Sequence, residues 1–122
     1  MLTSEQLEDF RQNWRPTPDK VDTAIKTAVE VANPSRVFLF GSWARGEARD
    51  SSDLDLAVFI PDRRKAEMDE LRKRIRARLD KIPMSIDLIL ASESYAAEFS
   101  SSVNSIYYKI LHGGKLVYDS GH

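Results

Sequence analysis

The stretch from Val37 to Ile60 constrains this chain most. An apolar run, Val37-Phe38-Leu39-Phe40, stops at Gly41-Ser42, and ten residues later Asp53-Leu54-Asp55 opens a second apolar run that ends at Ile60. Successive side chains of an extended strand point to opposite faces, so Asp53 and Asp55 project from one face about 7 Å apart. Two carboxylates held that way repel each other and are poorly hydrated on a packed sheet. A divalent cation resolves both difficulties, and hard oxygen ligands suit Mg2+ or Mn2+. Gly41-Ser42 falls where a strand hands over to a helix, and helix N-termini offer free N–H groups to phosphate. A phosphate cradle beside paired metal carboxylates is the equipment of phosphoryl or nucleotidyl transfer.

Two other readings of these residues fit less well. Gly41 to Gly46 matches the G-x-x-x-x-G of a P-loop, but Glu47-Ala48 stands where Lys and Ser/Thr are required. A plain Gly-Ser turn with a solvated acidic cluster leaves the spacing and the flanking strands unexplained. Gly41-Ser42, ten residues, then Asp53-x-Asp55 resembles the signature of the nucleotidyltransferase superfamily that includes DNA polymerase beta. The fuller string, Gly41-Ser42-Trp43-Ala44-Arg45-Gly46 with Ser52-Asp53-Leu54-Asp55-Leu56, resembles its smallest branch, the minimal nucleotidyltransferases.

The rest of the chain reads as a single small α/β (α+β) domain over residues 1–122. At 122 residues and 42% hydrophobic content it is large enough for one core. Eighteen basic residues against 19 acidic ones leave a net charge of −1, a poor match to long nucleic acid as the main ligand. The absence of cysteine fits a reducing cytoplasm. No apolar run approaches the about 18 residues of a membrane span, and the first five residues do not form a signal peptide. The expectation is a cytoplasmic domain.

Thr3-Ser4-Glu5-Gln6 forms a capping box ahead of a short helix carrying Leu7, Phe10 and Trp14. Thr17-Pro18 starts a second helix with Val21, Ile25, Ala28, Val29 and Ala32 as its buried stripe, ending at Asn33-Pro34. Arg36–Phe40 is the first strand, buried on both faces. Ser42–Ala48 is expected to form the phosphate turn and the first turns of a short helix, and residues 49–52 the loop into the second strand, Asp53–Ile60. Residues 62–82 read as a charged amphipathic helix with Met68, Leu71, Ile75, Leu79 and Ile82 inward and a solvated basic outer face. Ser85–Ala91 is the third strand. Its Asp87 interrupts an apolar run, which is costly for a core residue unless it is paired or metal-bound. A short helix over Tyr95–Phe99, a last helix marked by Val103, Ile106, Tyr107, Ile110 and Leu111, and a strand Lys115–Tyr118 complete the chain. His112 reads as a dipole or capping residue, and neither it nor His122 has a partner spaced for metal.

The resemblance implies more. The fold would be the nucleotidyltransferase fold, a mixed sheet covered by helices like the palm of polymerase beta. Asp53, Asp55 and Asp87 would be the catalytic and metal-binding triad, with Asp53 and Asp55 holding two Mg2+ ions (Mn2+ as the alternative). Asp87 would help bind the ion nearer the acceptor hydroxyl and assist its deprotonation. The nucleotide site would comprise Gly41, Ser42, Arg45, Asp53 and Asp55: Gly41 admits the β- and γ-phosphates, Ser42 donates to them, and Arg45 either contacts the triphosphate or braces the loop. Many members of the minimal branch are antitoxins paired with an all-helical HEPN ribonuclease, some transferring AMP from ATP to a tyrosine of that toxin. The resemblance thus implies a Mg-dependent protein adenylyltransferase working in a hetero-oligomer with a HEPN toxin. A stand-alone adenylyltransferase of antibiotic-like small molecules and a non-catalytic antitoxin module remain the alternative classes.

Overall fold

The computed structural model describes residues 3–13, 16–48 and 53–121, with residues 9–13 described by their backbone alone. The expectations for Phe10 as a packing side chain, Trp14, the loop 49–52 and His122 lie outside the described residues. Ten segments follow in order: α1 (Ser4–Asn13), α2 (Pro18–Ala32), β1 (Arg36–Phe40), β2 (Leu54–Ile60), a 3-10 segment (Asp62–Glu67), α3 (Met68–Leu79), β3 (Ile86–Ser92), α4 (Glu93–Phe99), α5 (Ile106–Gly113) and β4 (Lys115–Asp119).

Local signals set most of the helix ends. The Thr3 amide donates to Gln6 Oε1 at 2.8 Å and the Gln6 amide to Thr3 Oγ1 at 3.1 Å, a reciprocal capping box. Thr17 accepts from the Lys20 amide at 3.2 Å, Pro18 takes the first helical position, and Asn33 closes α2 in the left-handed region at φ 46°. Arg64 also reaches back from the 3-10 segment to the Ala32 and Asn33 carbonyls, 2.5 and 2.8 Å away. Those are orphan acceptors of the α2 C-terminus, satisfied by a residue 32 and 31 positions downstream of them.

The sheet is mixed, in the order β3-β2-β1-β4. β1 runs antiparallel to both β2 and β4, while β2 and β3 are parallel, joined by the crossover through α3. The alternation in β2 sorts its side chains as the sequence predicts. Leu54, Leu56, Val58 and Ile60 join the core under α2 and α3, where Val21, Ala24, Ala28, Leu71, Ile75 and Leu79 meet them. Ala57 and Phe59 join Phe38, Ala96 and Ile110 under α4 and α5. β2 is therefore buried on both faces. No helix among the described residues is long and apolar enough to cross a membrane.

Three expectations need correction. Residues 41–46 form a turn, not the start of a helix. Its bonds are sparse, Arg45 N–H to Gly41 O at 3.3 Å, Gly46 N–H to Trp43 O at 3.4 Å and Glu47 N–H to Ser42 O at 2.9 Å, and Gly46 at φ +70° takes the backbone out of right-handed geometry. Residues 62–67 are 3-10, so the α-helix begins only at Met68. Val103 lies before α5 and is exposed.

One glycine fixes how α5 sits on the sheet. A Cβ at Gly114 would overlap the Ile110 carbonyl oxygen and stand 3.0 Å from that of Leu39, whereas one at Gly113 would meet open space. Gly114→Ala should therefore destabilise the fold by about 1–3 kcal/mol, the usual cost of overpacking. Gly113→Ala should be neutral or mildly stabilising, within about 1 kcal/mol. Urea denaturation of the two variants checks the contrast, and equal midpoints would show that the close approach of α5 to β1 is not needed.

Candidate active site

Strand register builds the site. Phe40 pairs with Asp55 across β1 and β2, and Asp55 is in register with Asp87 across β2 and β3. Residues directly opposite on neighbouring strands share a face of the sheet. The two carboxylates thus stand side by side, close enough for each to feel the other's charge. Gly41 follows Phe40 at φ +69°, a region that residues with side chains rarely adopt. A Cβ there would overlap Asp55 Oδ2 and lie 3.3 Å from its carboxyl carbon. Glycine is required twice at this point, for the turn and for the approach of backbone to carboxylate.

Burial, the close-lying Asp87 carboxylate and the Asp53 charge all raise the Asp55 pKa above its ordinary value, and Arg45 opposes them. A carboxylate whose proton affinity is raised by its neighbours is suited to a divalent cation, which supplies two positive charges where a proton supplies one. The all-oxygen donor set fits Mg2+ or Mn2+.

The structure spreads the expected residues over two neighbouring depressions. Gly41, Arg45 and Asp55 line a cleft of about 530 Å³. Asp53 and Asp87 line another of about 350 Å³, with Arg76 and Asp80 alongside. Asp53 sits one residue ahead of β2 and is exposed. Among the described residues, no three His, Cys, Asp or Glu side chains gather closely enough to hold a metal ion by themselves. The arrangement is a coupled pair, Asp55 and Asp87, with Asp53 as a more distant neighbour.

The reason for singling out Asp87 needs correction. It is exposed near the start of β3, and β3 is an edge strand, so a core desolvation cost does not apply to it. That cost falls on its partner, Asp55. Ser42 is half-buried, and its carbonyl accepts the Glu47 amide at 2.9 Å. Arg45 is exposed and places Nε 3.0 Å from the Glu47 carboxylate while also lining the cleft. Between two such exposed groups the pair contributes about 0–1 kcal/mol, so it leaves the guanidinium available to another anion. Trp43 packs against the core beneath the turn, and its Nε1 is buried without a hydrogen-bond partner among the described residues.

Sequence reasoning missed the second wall of the larger cleft. Tyr108, Lys109 and His112 of α5 face Gly41 and Asp55 across it. The Tyr108 and His112 rings stack with centroids 4.2 Å apart and planes at 31°. Their i,i+4 spacing was the available signal, since it lies off the Tyr107, Ile110, Leu111 stripe that packs inward.

A four-stranded mixed sheet, helices on both faces and carboxylates at one end of adjacent strands define the nucleotidyltransferase fold. The chain matches the family described as polymerase beta, nucleotidyltransferase, over residues 22–122, and it belongs to that family. A solved toxin–antitoxin structure with AMP-PNP shares this fold. It has 21% identity and a TM-score of 0.51, with 82% of this chain and 74% of that one covered. A Sulfolobus solfataricus protein, assigned only provisionally as a nucleotidyltransferase, aligns at 19% identity and a TM-score of 0.48, covering 86% and 91%. No curated protein sequence matches the chain.

The raised Asp55 pKa has a thermodynamic consequence. The native state binds this proton more tightly than the unfolded chain. Stability therefore falls as pH rises from the ordinary carboxylate value of 3.8 through the raised one. At pH 7, in metal-free buffer, Asp55→Asn should melt at or above the wild-type temperature, and the advantage should vanish below about pH 4. Thermal denaturation across this range checks it; a variant several degrees less stable at pH 7 would contradict the repulsion.

Proposed function

We propose that the chain transfers AMP from ATP to a hydroxyl, most simply a tyrosine, of a helical HEPN-type ribonuclease, and acts as the antitoxin to that toxin. The observation that carries the catalytic part is the register of Asp55 with Asp87, set against the glycine turn at Gly41. Asp53, Asp55 and Asp87 would hold Mg2+, which when bound stabilises the charge that builds on the phosphate oxygens. Gly41 and Ser42 take the β- and γ-phosphates, and Arg45 at the cleft edge adds positive charge. The acceptor oxygen forms a bond to the α-phosphorus as the bond from that phosphorus to the bridging oxygen breaks. Pyrophosphate leaves with the electron pair, and Asp87 takes the hydroxyl proton. Catalysis is mostly positioning and electrostatic stabilisation, which a small rigid sheet provides well.

Three observations support a protein acceptor. Tyr95, Phe99, Val103 and Ile106 are exposed apolar side chains on the α4–α5 side, and Ile106 also lines the cleft. Apolar side chains exposed together mark interaction surfaces. The fold neighbour solved with AMP-PNP is itself a toxin–antitoxin complex. The overall charge of −1 also favours a protein over a nucleic acid as partner.

Co-expression with whatever protein is encoded next to this chain, followed by intact-mass analysis, tests the reading. The partner should gain one or more AMP masses, and Asp87→Asn should abolish the gain while leaving the complex assembled. An unmodified partner, together with ready adenylylation of a small alcohol, would replace this reading with the stand-alone enzyme.

A further inference from the structure

We propose that α5 is the nucleoside-binding wall of the donor site, with the stacked Tyr108–His112 pair receiving the base and Lys109 drawing the phosphate chain toward the helix. The inference rests on the reading that this cleft binds a nucleoside triphosphate. It adds residues that lie outside the Gly41–Asp87 motif.

The cleft has two chemically different walls. On the sheet side, Gly41 presents bare backbone, with Asp55 behind it and Arg45 at its edge. On the helix side stand two stacked rings and a lysine. A cleft of about 530 Å³ falls within the roughly 300–1,000 Å³ typical of small-molecule sites. A triphosphate seated on the turn carries its nucleoside away from the carboxylates, and the facing wall is aromatic. A ring pair of half-buried Tyr108 and exposed His112 on the cleft wall suits a base, because every base offers a π-face to a stacking partner. The exposed Lys109 lies one residue from Tyr108 on the same wall, so a base on the rings leaves the phosphates within the reach of its flexible stem.

Packing holds this wall in place. The Gly114 amide donates to the Ile110 carbonyl at 2.9 Å, and Lys115 enters β4 opposite Leu39 of β1. The last turn of α5, carrying His112 and Gly113, is thereby fixed beside the end of β1, where Phe40 leads into Gly41. Ile110 is fully buried, while Lys109 and His112 remain exposed. The helix is anchored on one side and free to receive a ligand on the other.

Stacking alone discriminates poorly between bases, so this wall assigns the donor class, a nucleoside triphosphate, without restricting it to adenine. Isothermal titration in Mg2+ with AMP-PNP, its guanosine counterpart and inorganic tripolyphosphate separates the roles. Tyr108→Ala should weaken both nucleotides on the order of tenfold and leave tripolyphosphate unchanged. Tyr108→Phe should keep nucleotide affinity, and Lys109→Ala should weaken all three ligands. Should Tyr108→Ala fail to fold, His112→Ala, which removes an exposed ring, should give the same selective loss. Wild-type affinity for nucleotides in the Tyr108 and His112 alanine variants, or equal losses for nucleotide and tripolyphosphate, would overturn the inference while leaving the donor site standing. A wild-type protein that binds none of the three ligands would remove the donor-site reading itself, and the inference with it.

Discussion

Strand β2 is paired on both edges and covered on both faces, and the rest of the molecule depends on that double constraint. Its hydrogen bonds to β1 and β3 leave no freedom along the strand, because a slip of one residue would turn Leu54, Leu56, Val58 and Ile60 out of one core and Ala57 and Phe59 out of the other. Burying even one such side chain contributes about 1.5–3 kcal/mol, so slipped registers lie far above the native one. The same register that fills two cores sets Asp55 beside Asp87. The electrostatic cost of that pair is met by packing elsewhere in the same strand, as a functional site in a small domain requires.

A second tie, absent from any local pattern, holds the far end of the sheet. Arg36 makes a two-pronged contact with Glu93, at 3.0 and 2.6 Å, and its guanidinium lies over the Phe38 and Phe59 rings at 5.3 and 5.7 Å. The Ser35 hydroxyl lies 2.7 Å from the same carboxylate. This half-buried network joins the start of β1 to the first turn of α4, where Glu93 also suits the helix dipole. It lies at the end of the strands opposite to Asp55 and Asp87.

Much of this was legible in the sequence because it is written locally. The Thr3–Gln6 box, the Thr17-Pro18 start and the β2 alternation each depend on residues a few positions apart, and the structure contains all three. The Gly41-Ser42 to Asp53-x-Asp55 spacing led to the family. What was not legible depends on contacts distant in sequence. Residues 42–48 carry helix-compatible residues, but one left-handed glycine and the pull of Trp43 into the core make them a turn. Asp87 was singled out for a burial it does not have, since edge position is a property of strand order and not of composition. Tyr108 and His112 look like helix surface until β1 is placed across from them.

The parallel pairing of β2 with β3 has a further consequence for how such a chain can change length over evolution. An inserted or deleted residue in the segment 80–85, between α3 and β3, would disturb the burial of Ile82 and Met84 but leave the pairing within the ladder in register. A single-residue change inside Ile86–Ser92 cannot be absorbed, because it would exchange Asp87 for a neighbour of opposite facing and bring a hydrophobic side chain to the carboxylate row. Length variation in descendants of this sequence is therefore confined to the connections, and the strands behave as fixed-length rulers that preserve the chemistry as a by-product of preserving the core.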